Sequence, residues 1–210
     1  MEAHAKTWAG LLVWGITCAA VQAGTVDLGS GWQASWDVSL DGSVNVETLL
    51  STDDTLVIKK TATFTQGPEG GVFPSIPIVF RQIAVQAATN IVIDNEVLTN
   101  ATCVPWTDFH FDLLDDGDAV FDPQATANSG GPAPIGWRID PFTSAAFAAN
   151  NVRLDVWGGV VDCNQQWWPG MGTDGGQLWI DVTPGSEPTD YTLFTLKETP
   201  TPEPGVLSLL

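Results

Sequence analysis

Basic residues are scarce: the 210-residue chain has seven Lys and Arg against 25 Asp and Glu, a formal net charge of −18. A phosphate backbone is held by clustered cations that displace counterions, so this balance argues against nucleic acid as a partner. It argues equally against docking of the body on anionic lipid. Histidine is scarcer still, with two in the whole chain, a poor basis for triad chemistry. No Gly-x-Ser-x-Gly elbow, phosphate-binding loop or His-Glu-x-x-His motif occurs. Alternation of strand-like and helix-like segments is also missing, which excludes a parallel α/β architecture. The acidity that remains favours solubility and cation binding.

The N-terminus carries Lys6 ahead of an apolar run from Trp8 to Val13, and Ala20-Val21-Gln22-Ala23 offers a signal-peptidase site before Gly24. The run is short for a membrane span, so residues 1–23 read as a cleaved export signal and not as an uncleaved anchor. At the other end, Glu198-Thr-Pro-Thr-Pro-Glu-Pro204 is rich in prolines that fix φ and remove donors, and residues 199–210 are expected to begin as an extended, solvated tether.

Within that segment Pro202-Glu203-Pro204 is followed by Val206-Leu207-Ser208-Leu209-Leu210. This resembles the sorting tail of PEP-CTERM proteins, in which Pro-Glu-Pro precedes a membrane-spanning helix and a basic cluster. The resemblance implies an exosortase-type processing enzyme as a partner. A span needs about 20 apolar residues, so a hydrophobic helix and basic cluster are expected beyond Leu210. They would be the chain's only membrane link. The same resemblance implies an exported protein, at the cell surface or extracellular, of an exopolysaccharide-producing bacterium.

Residues 24–198 are enough for one domain. Cys103 and Cys163 are the two cysteines left after the signal is removed, and in an oxidising compartment they are expected to form a disulfide, the alternative being two buried thiols. The body is written in period two. Trp32, Ala34, Trp36, Val38 and Leu40 alternate with polar residues, Asp41-Gly42 follows, and Val44-Asn-Val-Glu47 resumes, which predicts a hairpin over 32–50. Leu56, Ile58, Ala62 and Phe64 share one face of the next strand. Pro77 argues against a central strand before Ile78, and residues 89–100 read as one strand or two joined at Asp94-Asn95.

Thr107, Phe109, Phe111 and Leu113 share a face of a further strand, and the residues after it follow the same rhythm to Tyr191–Lys197. Residues 122–134 read as a loop, and Thr143–Ala149 as the only helix-like material. The expectation is an all-β fold, an antiparallel β-sandwich or jelly roll of about ten to twelve strands. Trp36, Val38, Leu56, Ile58, Phe64, Phe109 and Phe111 should lie in its core.

Three clusters could carry chemistry. Asp108, His110 and Asp112 alternate on one strand face, as a metal or acid/base cluster would, and as any solvated face would too. Asp115, Asp116, Asp118 and Asp122 are hard oxygen donors suited to a structural calcium, though their spacing is not that of an EF-hand. Trp167 and Trp168 lie among loop-forming glycines, where a ring with a flat apolar face suits stacking on sugar. These readings lead to a non-enzymatic surface or matrix protein, to a glycan-binding module that recognises extracellular polysaccharide, or to a carboxylate-based carbohydrate-active enzyme.

Overall fold

A computed structural model describes residues 24–114 and 117–202. Residues 1–23, read above as an export signal, and Glu203 onward lie outside the described residues, as do Asp115 and Asp116. In chain order the strands are β1 (Gly24–Gly29), β2 (Trp32–Trp36), β3 (Val44–Ser51), β4 (Thr55–Phe64), β5 (Ile76–Gln82), β6 (Asn90–Asn100) and β7 (Trp106–Leu114). Then follow β8 (Ala119–Phe121), β9 (Ser144–Phe147), β10 (Arg153–Val161), β11 (Gln166–Trp167), β12 (Leu178–Val182) and β13 (Leu193–Pro202), with one α-helix among the described residues, α1 (Pro123–Asn128).

They form two sheets, as the period-two pattern requires of a chain with apolar strand faces to cover. The larger has the order β1-β2-β5-β13-β7-β10-β9, and the smaller β3-β4-β6-β12-β8 with β11 also on β6. Pairing is antiparallel throughout except between β4 and β6. The fold is the expected all-β sandwich, with slightly more strands. Its core is unusually aromatic: Trp32, Trp106, Trp137 and Trp167 are fully buried with Phe80, Phe109, Phe111, Phe121, Phe142 and Phe194.

Leu56, Ile58, Phe64, Phe109 and Phe111 are in the core as expected. Trp36 is half-buried and Val38 is 39% exposed, because the strand ends at Trp36. The carboxylate of Asp37 accepts the N–H of Ser39 at 2.8 Å and caps a 3₁₀ turn, Val38–Leu40. The hairpin expected over 32–50 is therefore absent. β2 pairs with β1 and β5 in the larger sheet while β3 pairs with β4 in the smaller, and the turn carries the chain across between them.

Three other local expectations change. Ser144–Phe147 is an edge strand and not a helix: Ala145 and Phe147 pack on the core opposite Val156 and Leu154, and that packing overrides alanine's helix preference. The helix lies instead in the segment read as a loop, where Asp122 accepts the N–H groups of Gln124 and Ala125 and Pro123 opens the first turn.

The supposed tether is strand as far as Pro202, in the middle of the larger sheet. β5 pairs with β13 only as far as Ile76 opposite Glu198, so Pro200 and Pro202 sit where β13 keeps β7 alone as neighbour. There a missing donor leaves no ladder bond unmade. Pro77 follows the same rule: it belongs to β5, but β2 pairs with β5 only from Val79 onward.

β6 is a single strand with one irregularity. Its register against β4 steps from Ile58↔Ile93 to Lys59↔Asn95, so Asp94 is an extra residue. Before the bulge Ile91 and Ile93 face the core, and after it Glu96, Leu98 and Asn100 do. A one-residue insertion thus turns a carboxylate inward.

Candidate functional site

Trp167 and Trp168 are adjacent in extended chain, so they point to opposite faces. Trp167 is fully buried, with ring centroids 5.0 Å from Phe109 and 4.9 Å from Phe142. Its indole N–H donates to the Ile139 carbonyl at 3.1 Å. Trp168 is directed outward and remains 46% exposed. The inner ring fixes the outer one.

The loop beyond them is pinned to the body. Gly170 has φ +72° and approaches so closely that a Cβ would stand 2.5 Å from the Asp94 carbonyl oxygen, a position only glycine fills. Its N–H donates to the Arg138 carbonyl at 2.9 Å, and the Arg138 guanidinium donates to the Met171 carbonyl at 2.7 Å. Arg138, Asp140, Gln166, Trp168, Met171 and Gly172 then line a shallow, open depression of about 310 Å³. It joins an aromatic face and an exposed thioether (Met171, 42% exposed) to a guanidinium, a carboxylate and an amide. Flat apolar surface edged by planar hydrogen-bonding groups is the chemistry that fits a sugar ring. Sequence reasoning finds the two tryptophans and the stretch that carries Met171, but not Arg138 or Asp140, which reach the depression only through the fold.

His110 has a different setting from the one its own strand suggested. On the outer face of the larger sheet its Nδ1 lies 2.7 Å from Asp155 Oδ1 and its Nε2 2.8 Å from Thr201 Oγ1. Arg153 Nε donates to the same Asp155 oxygen at 2.6 Å and its Nη1 to Asp112 at 3.2 Å. Burial lowers the Arg153 pKa, but its carboxylate partners outweigh that and leave it raised. The order Thr201, His110, Asp155 resembles a hydroxyl-imidazole-carboxylate relay. It crosses β13, β7 and β10, where strand N–H groups are committed to the ladder and cannot serve as an oxyanion hole. The network laces three strands together. Asp108 is not among its hydrogen-bonded members; the residue opposite it on β10 is Trp157, itself 41% exposed and not singled out from the sequence.

Of the acidic cluster, Asp115 and Asp116 lie outside the described residues. Asp122 is engaged as the helix cap, and Asp118 accepts the Thr183 N–H through its backbone carbonyl. Among the described residues no group of three His, Cys, Asp or Glu is placed to hold a metal ion.

Cys103 and Cys163 form the expected disulfide, with Cα atoms 4.1 Å apart. It joins the loop after β6 to the loop leading into β11, close behind the tryptophan pair.

Sequence reasoning misses a second constellation. Lys60 of β4, Glu96 of β6 and Glu198 of β13 are all fully buried, and the Lys60 ammonium forms ion pairs with both carboxylates. Burial, then the charge of Glu198, push the Glu96 pKa well above the usual carboxylate range. Burial alone would pull Lys60 down, but the two carboxylates outweigh it and hold it above its ordinary value. The signal for Lys60 and Glu198 is present in the sequence: each continues an apolar alternation, Leu56-Ile58-Lys60-Ala62 and Phe194-Leu196-Glu198.

Compared with protein families, curated proteins and solved structures, the chain finds no match.

Proposed function

We propose that this domain is the recognition unit of an exported, non-enzymatic cell-surface or matrix protein and that it binds extracellular polysaccharide through the Trp168 depression. The observation that carries the reading is a tryptophan held outward by a buried twin, beside Arg138, Asp140 and Gln166. A stacked ring supplies contact area without charge complementarity, which suits a chain of net charge −18 better with neutral glycans than with polyanionic ones. The Pro-Glu-Pro segment supports display at the surface after processing by an exosortase-type enzyme.

A glycan array probed with the purified mature domain tests the binding. Signal on neutral glycans that disappears in Trp168→Ala, with unfolding unchanged, is expected. Binding that survives Trp168→Ala would remove the depression as the site. Cell fractionation together with N-terminal sequencing tests export, where a mature terminus at Gly24 is expected.

A further inference from the structure

The buried trio does more than neutralise itself. Its members come from three strands and both sheets, and their ladder neighbours are apolar: Val46 beside Lys60, Ile76 and Phe111 beside Glu198. All three neighbours are buried. Apart from the Lys60 ion pairs, no hydrogen bond from the surrounding core reaches Glu96 Oε2 or the Glu198 carboxylate, so the ammonium of Lys60 is what compensates Glu198. Two carboxylates against one ammonium leave an uncompensated charge in a low dielectric, which is costly unless one carboxyl holds a proton.

We propose that Lys60 and Glu96 are a self-modification site: their side chains condense into an isopeptide bond, with Glu198 as the carboxylate that moves the protons. In the starting state Lys60 is an ammonium, Glu96 a neutral acid and Glu198 a carboxylate. Glu198 takes a proton from Lys60 and frees the amine, whose lone pair attacks Cδ of Glu96. The C–N bond forms as the carbonyl π pair moves to oxygen. Glu198 then gives its proton to the departing hydroxyl, which leaves as water, and takes one from the attacking nitrogen in its place. The products are one amide, one water and a neutral Glu198, with no oxidant or cofactor required.

Two general effects favour the condensation. The amine and carboxyl are already in contact in a fixed frame, which replaces a bimolecular encounter by an intramolecular one. The reaction also removes both formal charges from the core. The resulting bond would join parallel neighbours β4 and β6, positions 60 and 96, independently of the disulfide.

Intact-mass and tryptic mapping of the full mature chain test this. The expected result is a mass lower by one water, no cleavage after Lys60, and a branched peptide linking the Lys60 and Glu96 segments. Asp41-Gly42, Asp116-Gly117 and Asp174-Gly175 can also lose water by succinimide formation, so the location of the loss decides. A map in which Lys60 is cleaved normally and Glu96 is unmodified overturns the proposal. Glu198→Gln should fold and keep the full unjoined mass, and a bond formed in that variant would overturn the role of Glu198. If that variant does not fold, the wild-type map still decides whether the bond forms.

Discussion

Replacing Trp167 and Trp168 one at a time separates folding from recognition. A buried tryptophan covers roughly 200 Å² of apolar surface, worth about 5 kcal/mol at ~25 cal/mol per Å². Trp167→Ala should lose most of that, in line with the ~3 to 5 kcal/mol typical of such truncations. It also leaves the Ile139 carbonyl without the indole donor that now reaches it at 3.1 Å. For a domain of this size about 1 kcal/mol shifts Tm by roughly 2–4 °C, so a fall of about 6–20 °C is expected. Trp168 keeps 46% of its surface in solvent, so at most about half of the same area term is at stake, and surface substitutions usually cost far less. Trp168→Ala should therefore lower Tm by less than about 8 °C and abolish glycan retention in affinity electrophoresis. Trp167→Ala, assayed below its own Tm, should still bind, but more weakly than its folded fraction alone predicts, because the buried ring that fixes Trp168 outward is gone. Equal destabilisation by the two variants would refute the assigned orientations.

Reducing the Cys103–Cys163 bond reopens a loop of 60 residues, which the chain-entropy relation values at about 4 kcal/mol; urea titration with and without reductant should show that loss. Asp122→Ala removes the acceptor for two backbone N–H groups at the start of α1 and should cost about 1 kcal/mol, measured by the same titration. Burial, then the charge of Asp122, raise the Asp181 pKa above 3.8. The folded state thus prefers protonated Asp181: the stability this contributes is complete below pH 3.8 and is lost as pH rises through the folded value. Asp181→Asn should flatten the stability profile just above pH 3.8, and an NMR titration of Asp181 should move toward its ordinary value in Asp122→Asn.

The strands are legible where alternation meets no competitor. β4 alternates over its ten residues and is buried on alternate positions along its whole length. The same pattern misleads at Val38, because a period of two cannot distinguish a strand from a turn begun by Asp37, whose side chain offers the backbone a local acceptor. Sheet membership is not legible either: β2 and β3 are neighbours in the chain yet lie in different sheets. The prolines at 200 and 202 suggest a tether because a proline lacks a donor. Where that matters depends on where the neighbouring strand ends, and only Ile76 opposite Glu198 reveals it. For the candidate site, alternation foretells that one tryptophan faces inward but not which. Glu96 is hidden by the Asp94 bulge that reverses the facing of every residue after it.

β13 is the last strand of the described chain, yet it is central to its sheet, with β5 on one side and β7 on the other. The segments that flank it wait through more than a hundred intervening residues, in the case of β5, for their shared partner. Contacts of such sequence separation close slowly, because loop entropy is lost before the pairing rewards it. A nascent chain therefore cannot complete the larger sheet until Pro202 has emerged. A chain that stays open until its last strand arrives remains threadable, which is the condition that the proposed export would impose. It also exposes its aromatic strands in the meantime, so its yield should depend on chaperones.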